Sequence, residues 1–207
     1  MTNKSLTLAV ATAALASLSA TAQIIAYDNT TGYQGQFSNR GNTEVGDEIT
    51  LSTGASVLTD FAFEYNYTTG GDGLATGVLR LWDKAGNIPG SLLFQSQPFT
   101  LQAGLHSASV NGLSLPVPGT LVWTVDFDGI DAGEAAGLLF YNGTSQSLDD
   151  YWENQGTVGV PNWVLQDTAT LVDNFGARVT VVPEPTTVGL LIGGAAVLGL
   201  AARRRKA

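Results

Sequence analysis

The 207-residue sequence contains no cysteine and a single histidine, His106. Without thiols it has neither a disulfide framework nor a thiolate metal site, so its stability must come from a core or from bound ions. A Ser–His–Asp triad would have to use His106, which sits in Gly104-Leu105-His106-Ser107 at a predicted strand start, and no G-x-S-x-G elbow is present. Cations are also scarce. Residues 23–182 hold Arg40, Arg80, Lys84 and Arg178 against 17 acidic groups, a net −13. Such a segment repels nucleic acid and anionic lipid and offers no basic patch to either. The same region shows no sustained helical period and no internal repeat, which excludes helix bundles, propellers and solenoids.

Long apolar runs are confined to the two ends. Lys4 followed by the Ala-rich stretch Leu6–Leu18 and the small residues Ala20-Thr21-Ala22 reads as a secretory signal peptide over residues 1–22. Cleavage by signal peptidase is expected between Ala22 and Gln23. At the other end, Pro183-Glu184-Pro185 precedes an uncharged run, residues 186–202, and then Arg203-Arg204-Arg205-Lys206. Seventeen residues make a helix of about 25 Å. That is slightly short of a ~30 Å hydrocarbon core, a mismatch that bilayer thinning or snorkelling ends absorb. The run is therefore predicted to be a transmembrane helix through the inner membrane, with the basic residues held in the cytoplasm. Pro183 and Pro185 stop it from continuing upstream.

The order Pro183-Glu184-Pro185, apolar helix, basic end resembles the PEP-CTERM sorting signal of Gram-negative bacteria. The resemblance spans about the last 25 residues. It implies that an exosortase, a membrane-embedded cysteine enzyme, is the partner that reads Pro183, Glu184 and Pro185, and that the protein travels to the envelope or extracellular matrix. This chain, having no cysteine, is the substrate and not the sortase.

The middle, residues 23–182, is predicted to be one exported domain. Its apolar residues alternate with period two and are broken by Gly, Pro, Asn and Asp. Phe61, Phe63, Tyr65 and Tyr67 share one face of a strand, and Leu121, Trp123, Val125 and Phe127 share another. Further strands are expected at 75–82, 91–94, 105–115, 137–141 and 175–181. Gly70-Gly71-Asp72-Gly73 and Pro116-Val117-Pro118-Gly119 read as turns between them. Eight or more short strands at this spacing predict an all-β antiparallel β-sandwich of jelly-roll type. Gly46-Asp47-Glu48-Ile49, Leu58-Thr59-Asp60-Phe61, Pro89-Gly90-Ser91-Leu92, Val122-Trp123-Thr124-Val125, Asp150-Tyr151-Trp152-Glu153 and Asn174-Phe175-Gly176-Ala177 resemble the choice-of-anchor type of extracellular sandwich. That resemblance carries a fold and no activity.

Two patches qualify as sites. Tyr151 and Trp152, flanked by Asp150 and Asn154, offer rings and hydroxyl-binding groups for a glycan; the alternative is a loop whose two rings tuck into the sandwich. Asp126, Asp128 and Asp131 follow a strand on a glycine-bearing loop and could hold Ca2+; their spacing departs from an EF-hand, and solvated loop acids are the alternative. The expected protein is thus a non-enzymatic envelope or matrix protein. A carbohydrate-binding module for exopolysaccharide is the second reading, and a secreted glycan hydrolase, which needs two close carboxylates, is the third.

Overall fold

Alternation between apolar and polar residues translates directly into strands. In the computed structural model, which describes residues 22–39, 41–156, 160–166 and 174–183, every regular element is a β-strand. The first five are β1 (Ile24–Asp28), β2 (Tyr33–Phe37), β3 (Glu44–Thr50), β4 (Ser56–Thr68) and β5 (Thr76–Ala85). β6 (Ile88–Gln95), β7 (Phe99–Thr100), β8 (Gly104–Val110), β9 (Leu115–Val117) and β10 (Thr120–Asp128) follow. The last are β11 (Ala135–Tyr141), β12 (Tyr151–Asn154), β13 (Trp163–Gln166), β14 (Asn174–Phe175) and β15 (Ala177–Pro183). The signal peptide predicted at 1–22 and the transmembrane helix predicted at 186–202 lie outside the described residues, save for Ala22. Among the described residues no helix is long and apolar enough to cross a membrane.

The strands form two antiparallel sheets. One has the order β1-β15-β4-β11-β14, with β8 and β9 also on β4 and β2 also on β11. The other has the order β13-β12-β3-β10-β5-β6, with β7 continuing the β6 edge along β5. Residues 23–182 form one unit. The predicted strand at 105–115 is two strands, β8 and β9, because the chain turns at Gly112, whose φ is +71° and whose N–H donates to Asp60 Oδ1.

The core lies between the sheets and is largely aromatic. Phe61, Phe63, Tyr65 and Tyr67 on β4 are buried, as are Leu121, Trp123, Val125 and Phe127 on β10. Trp123 joins the two sheets, its ring 5.4 Å from that of Phe61, 5.9 Å from Phe63 and 6.2 Å from Phe175. From Phe175 the stack runs on to Phe140 at 5.2 Å and to Tyr151 at 5.4 Å. Tilted and edge-on rings at these spacings add to the burial of their area.

β3 departs from the simple pattern. Six of its seven residues are buried although three are acidic. β10 and β12 pair on its two sides. Gly46 permits the close approach to β10, since a Cβ there would stand 1.8 Å from the Trp123 carbonyl oxygen. Asp47 shares its strand face with Val45 and Ile49 and is fully buried. Its Oδ1 accepts from the Glu48 N–H at 2.7 Å and its Oδ2 from the Phe175 N–H at 3.3 Å.

Burial pushes the Asp47 carboxyl well above the usual carboxylate range, against the pull of those two N–H groups. The same burial, with the charge of Asp47, pushes the Tyr27 hydroxyl up to about 12. A carboxyl raised in the folded state contributes most when protonated, so its contribution is full at low pH and is lost as pH rises above the unfolded value. Wild type should therefore lose stability between pH 5 and pH 8 relative to Asp47→Asn. Urea midpoints of the two proteins at both pH values measure this; equal or opposite slopes would contradict it.

Candidate functional site

The last strand leads straight into the predicted tail. Val179 and Val181 of β15 are fully buried, Val181 pairs with Ile24 of β1, and Val182 and Pro183 are half-buried at the strand end. Ala22 and Gln23, the predicted cleavage pair, are exposed just before β1. The strand that follows Gln23, β1, and the strand that leads to Glu184, β15, are thus neighbours in one sheet. Glu184, Pro185 and the basic run Arg203–Lys206 lie outside the described residues.

The predicted glycan patch does not form. Tyr151 and Trp152 are 1% and 4% exposed. They occupy β12, which is paired on both sides, to β3 and to β13. Successive strand residues point to opposite faces, and both faces are covered here. The Tyr151 ring packs in the core against Phe140 and Phe175, and Trp152 stands opposite Gly46. Asp150 is half-buried. Asn154 is occupied within the fold, donating to Glu44 Oε2 at 3.1 Å and accepting from the Gly156 and Asn162 N–H groups. The segment read as a loop is a strand, and its rings serve packing.

The predicted calcium set is likewise divided. Asp126 forms an ion pair with Arg80 at 3.1 Å, and Asp128 Oδ1 accepts the Gly129 N–H. Asp131 instead joins Asp72 and Glu134, the one trio of carboxylates among the described residues with oxygens within 4.8 Å of one another. Glu134 is already engaged there. Its Oε1 accepts from the Tyr67 hydroxyl at 2.6 Å and from the Gly71 and Gly73 N–H groups, and its Oε2 accepts from the Asp131 N–H. These bonds, the Tyr67 hydroxyl first, hold its carboxyl below the usual range. The arrangement staples the 70–73 turn to the 131–134 turn.

The outer face of the second sheet carries an ionic network. Arg80 pairs with Glu44 at 3.0 Å and with Asp126, and its Nε donates to Gln95 Oε1. The Trp82 indole N–H donates to the Thr124 hydroxyl, which donates to Glu44 Oε1 at 2.6 Å. Lys84 pairs with the buried Glu48 at 2.5 Å. Edge-on contact between Trp82 and Trp163 at 5.4 Å adds an apolar cover.

A cleft of about 650 Å³ opens where the edges of the two sheets face each other. Phe63 and Tyr65 of β4 and Leu79 of β5 form its floor. One wall is the β6–β7 edge with the half-buried Phe94 and Phe99; the other is β8. Phe99 can lie flat over the sheet because its neighbour is Gly77, where a Cβ would meet the ring at 2.6 Å. Its ring stands 5.9 Å from Phe63 and 6.2 Å from Tyr65. The Tyr65 hydroxyl accepts the Gln102 N–H at 3.1 Å, tying the segment after β7 to the floor. His106 Nε2 is bonded to the Ala103 carbonyl at 2.9 Å, and the ring lies 6.0 Å from Tyr65. The lining contains no Asp, Glu, Lys or Arg. The chain carries a signal for this site: no Asp, Glu, Lys or Arg occurs between Lys84 and Asp126.

The fold and its exit strand define an all-β protein of two antiparallel sheets whose last strand runs on into a C-terminal tail. The tail is the part with known likeness: the family model for the PEP-CTERM protein-sorting motif matches residues 181–206. No curated protein and no solved structure matches the chain. The match begins inside β15, so sorting motif and sandwich share residues 181–183. It supports an exported exosortase substrate that passes through a membrane-anchored intermediate in a Gram-negative bacterium.

Proposed function

We propose that the chain is a non-enzymatic envelope or extracellular-matrix protein, delivered by its tail as a disposable address. The observation that carries this reading is the sorting motif fused directly to the last strand of the domain. Exosortase is the processing partner, signal peptidase acts at Ala22 and Gln23, and the run 186–202 holds the intermediate in the inner membrane. The net −13 of residues 23–182 suits a soluble product once the tail is gone. Glycoside hydrolysis asks for two carboxylates about 5–10 Å apart around a substrate, and the 650 Å³ cleft carries no carboxylate in its lining.

The domain is proposed to be a jelly-roll-like sandwich of the choice-of-anchor type. Support comes from the neighbour orders β1-β15-β4-β8 and β3-β10-β5-β6, which set the first strand beside the last, as Greek-key winding does.

Deleting residues 184–207 leaves β15 whole. The truncated protein is expected in the soluble periplasmic fraction or the medium, measured by fractionation and immunoblot against the full chain. If it stays at the same surface location as wild type, the sorting role of the tail is wrong.

A further inference from the structure

We propose that the cleft between the β6–β7 edge and β8 binds an uncharged saccharide chain. The argument begins with what the lining lacks. With no Asp, Glu, Lys or Arg in its lining, and with the Nε2 of its one histidine, His106, bonded to the Ala103 carbonyl, the site offers no fixed counter-charge to a phosphate, a carboxylate or an ammonium group. That is a selection in a domain with 17 acidic groups, since the acids lie elsewhere. Electrostatic complementarity therefore favours a neutral ligand.

The lining then sets the ligand's shape and polarity. Phe94 and Phe99, half-buried at the side and backed by the buried Phe63 and Tyr65, present apolar ring surface of the kind that anchors ligands in concave sites of about 300–1,000 Å³. At the mouth stand Gln97 and Gln102, exposed residues whose side chains make no hydrogen bond with any described residue, so water serves them now. A purely alkyl ligand would strip that water and leave them unpaired, at a cost. A neutral sugar presents C–H faces to the rings and hydroxyls to the amides at once. The cleft opens to solvent at the sandwich edge.

Neighbouring bonds keep the site in shape without using its free donors. Ser96 Oγ accepts the Leu79 N–H and donates to the Gln97 carbonyl, fixing the break between β6 and β7. The Gln102 N–H bond to Tyr65 fixes the other end and leaves the Gln102 side-chain amide unused. Catalysis is not part of the assignment, and localisation plays no part in its test. Failure here would leave the sorting reading standing, and failure of the tail deletion would leave this one.

The test is calorimetric titration of the full chain, held in a sugar-free detergent, with maltohexaose, cellohexaose and mannohexaose. An oligouronate, a neutral hexapeptide and a fatty alcohol are titrated in parallel. At least one neutral hexasaccharide is expected to bind saturably, and the oligouronate to bind at least about tenfold more weakly. Gln97→Ala and Gln102→Ala should each weaken binding by about fivefold, and Phe99→Ala by about tenfold or more. Gln155→Ala, remote from the cleft, should leave it unchanged. Because Phe99 also touches the core, the two rim variants, checked for unchanged thermal midpoints, decide the matter. Saturation by none of the three hexasaccharides overturns the proposal. So does binding that the rim variants leave intact, or tighter binding of the peptide or the alcohol.

Discussion

Replacing Trp123 with alanine is expected to remove roughly 3–5 kcal/mol of the domain's stability, the largest loss of any single replacement proposed for this protein. The side chain is fully buried at the point where the two sheets meet, in ring contact with Phe61, Phe63 and Phe175. Truncating a buried tryptophan removes its transfer free energy and leaves a cavity that close-packed neighbours fill poorly, roughly 3–5 kcal/mol in all. A domain of this size has a total stability of about 5–15 kcal/mol, and no disulfide limits the unfolded state here. The indole N–H has no hydrogen-bond partner among the described residues. Trp123→Phe therefore gives up volume but also removes an unpaired buried donor, and should cost about 1–2 kcal/mol or less. Urea denaturation of the two variants measures both numbers. A loss below about 1 kcal/mol for Trp123→Ala would show that the sheets do not depend on this contact.

Arg80→Met is expected to have the second-largest effect, roughly 2–4 kcal/mol, and to grow with pH. Arg80 holds Glu44 and Asp126 at 3.0 and 3.1 Å and donates to Gln95. Glu44 is only 6% exposed, so removing its cation leaves a nearly buried carboxylate with Thr124 and Asn154 as its remaining partners. Breaking one side of a buried pair costs more than replacing both sides. Arg80 keeps 19% of its side chain exposed, which places the loss toward the lower end of the buried-pair range. The double replacement Glu44→Met with Arg80→Met should accordingly cost less than the sum of the single losses.

The pH dependence follows from Asp126. Burial raises its carboxyl above the usual range while Arg80 pulls it down. Without Arg80 the folded value rises further, so protonated Asp126 is favoured and stability falls as pH climbs above the ordinary carboxylate range. The Arg80→Met deficit should be larger at pH 8 than at pH 5, by urea midpoint. A deficit independent of pH, or additive losses in the double variant, would show that the network acts through packing alone.

Strands with strong two-residue periodicity are legible in the chain itself. Phe61 to Tyr67 and Leu121 to Phe127 bury the residues that alternation assigns to one face. β3 is not legible as a central strand, because three acids in seven residues resemble a solvated turn. Its burial depends on Arg80 and Lys84, which arrive from β5 across β10, and on Gly46 meeting β10 closely. β12 escapes the pattern for a related reason. Two large aromatics among acids suit an exposed platform and a covered strand equally well until the partners are known. Trp152 opposite Gly46 and Asn154 opposite Glu44 are pairings across more than a hundred residues.

Linear order alone carries the tail motif, the expectation of a signal peptide, the charge imbalance and the period-two strands. Each is a local property: a run, a motif, a count or an alternation that no distant residue can change. Which side chains are available to a ligand is settled by folding. Tyr151 and Trp152 are taken up because β12 is covered on both faces. Phe99, Gln102 and His106 come to one opening because β7 and β8, on different sheets, meet at the sandwich edge. Burial and concavity are set by what packs against a residue, and in an antiparallel sandwich those partners come from far along the chain.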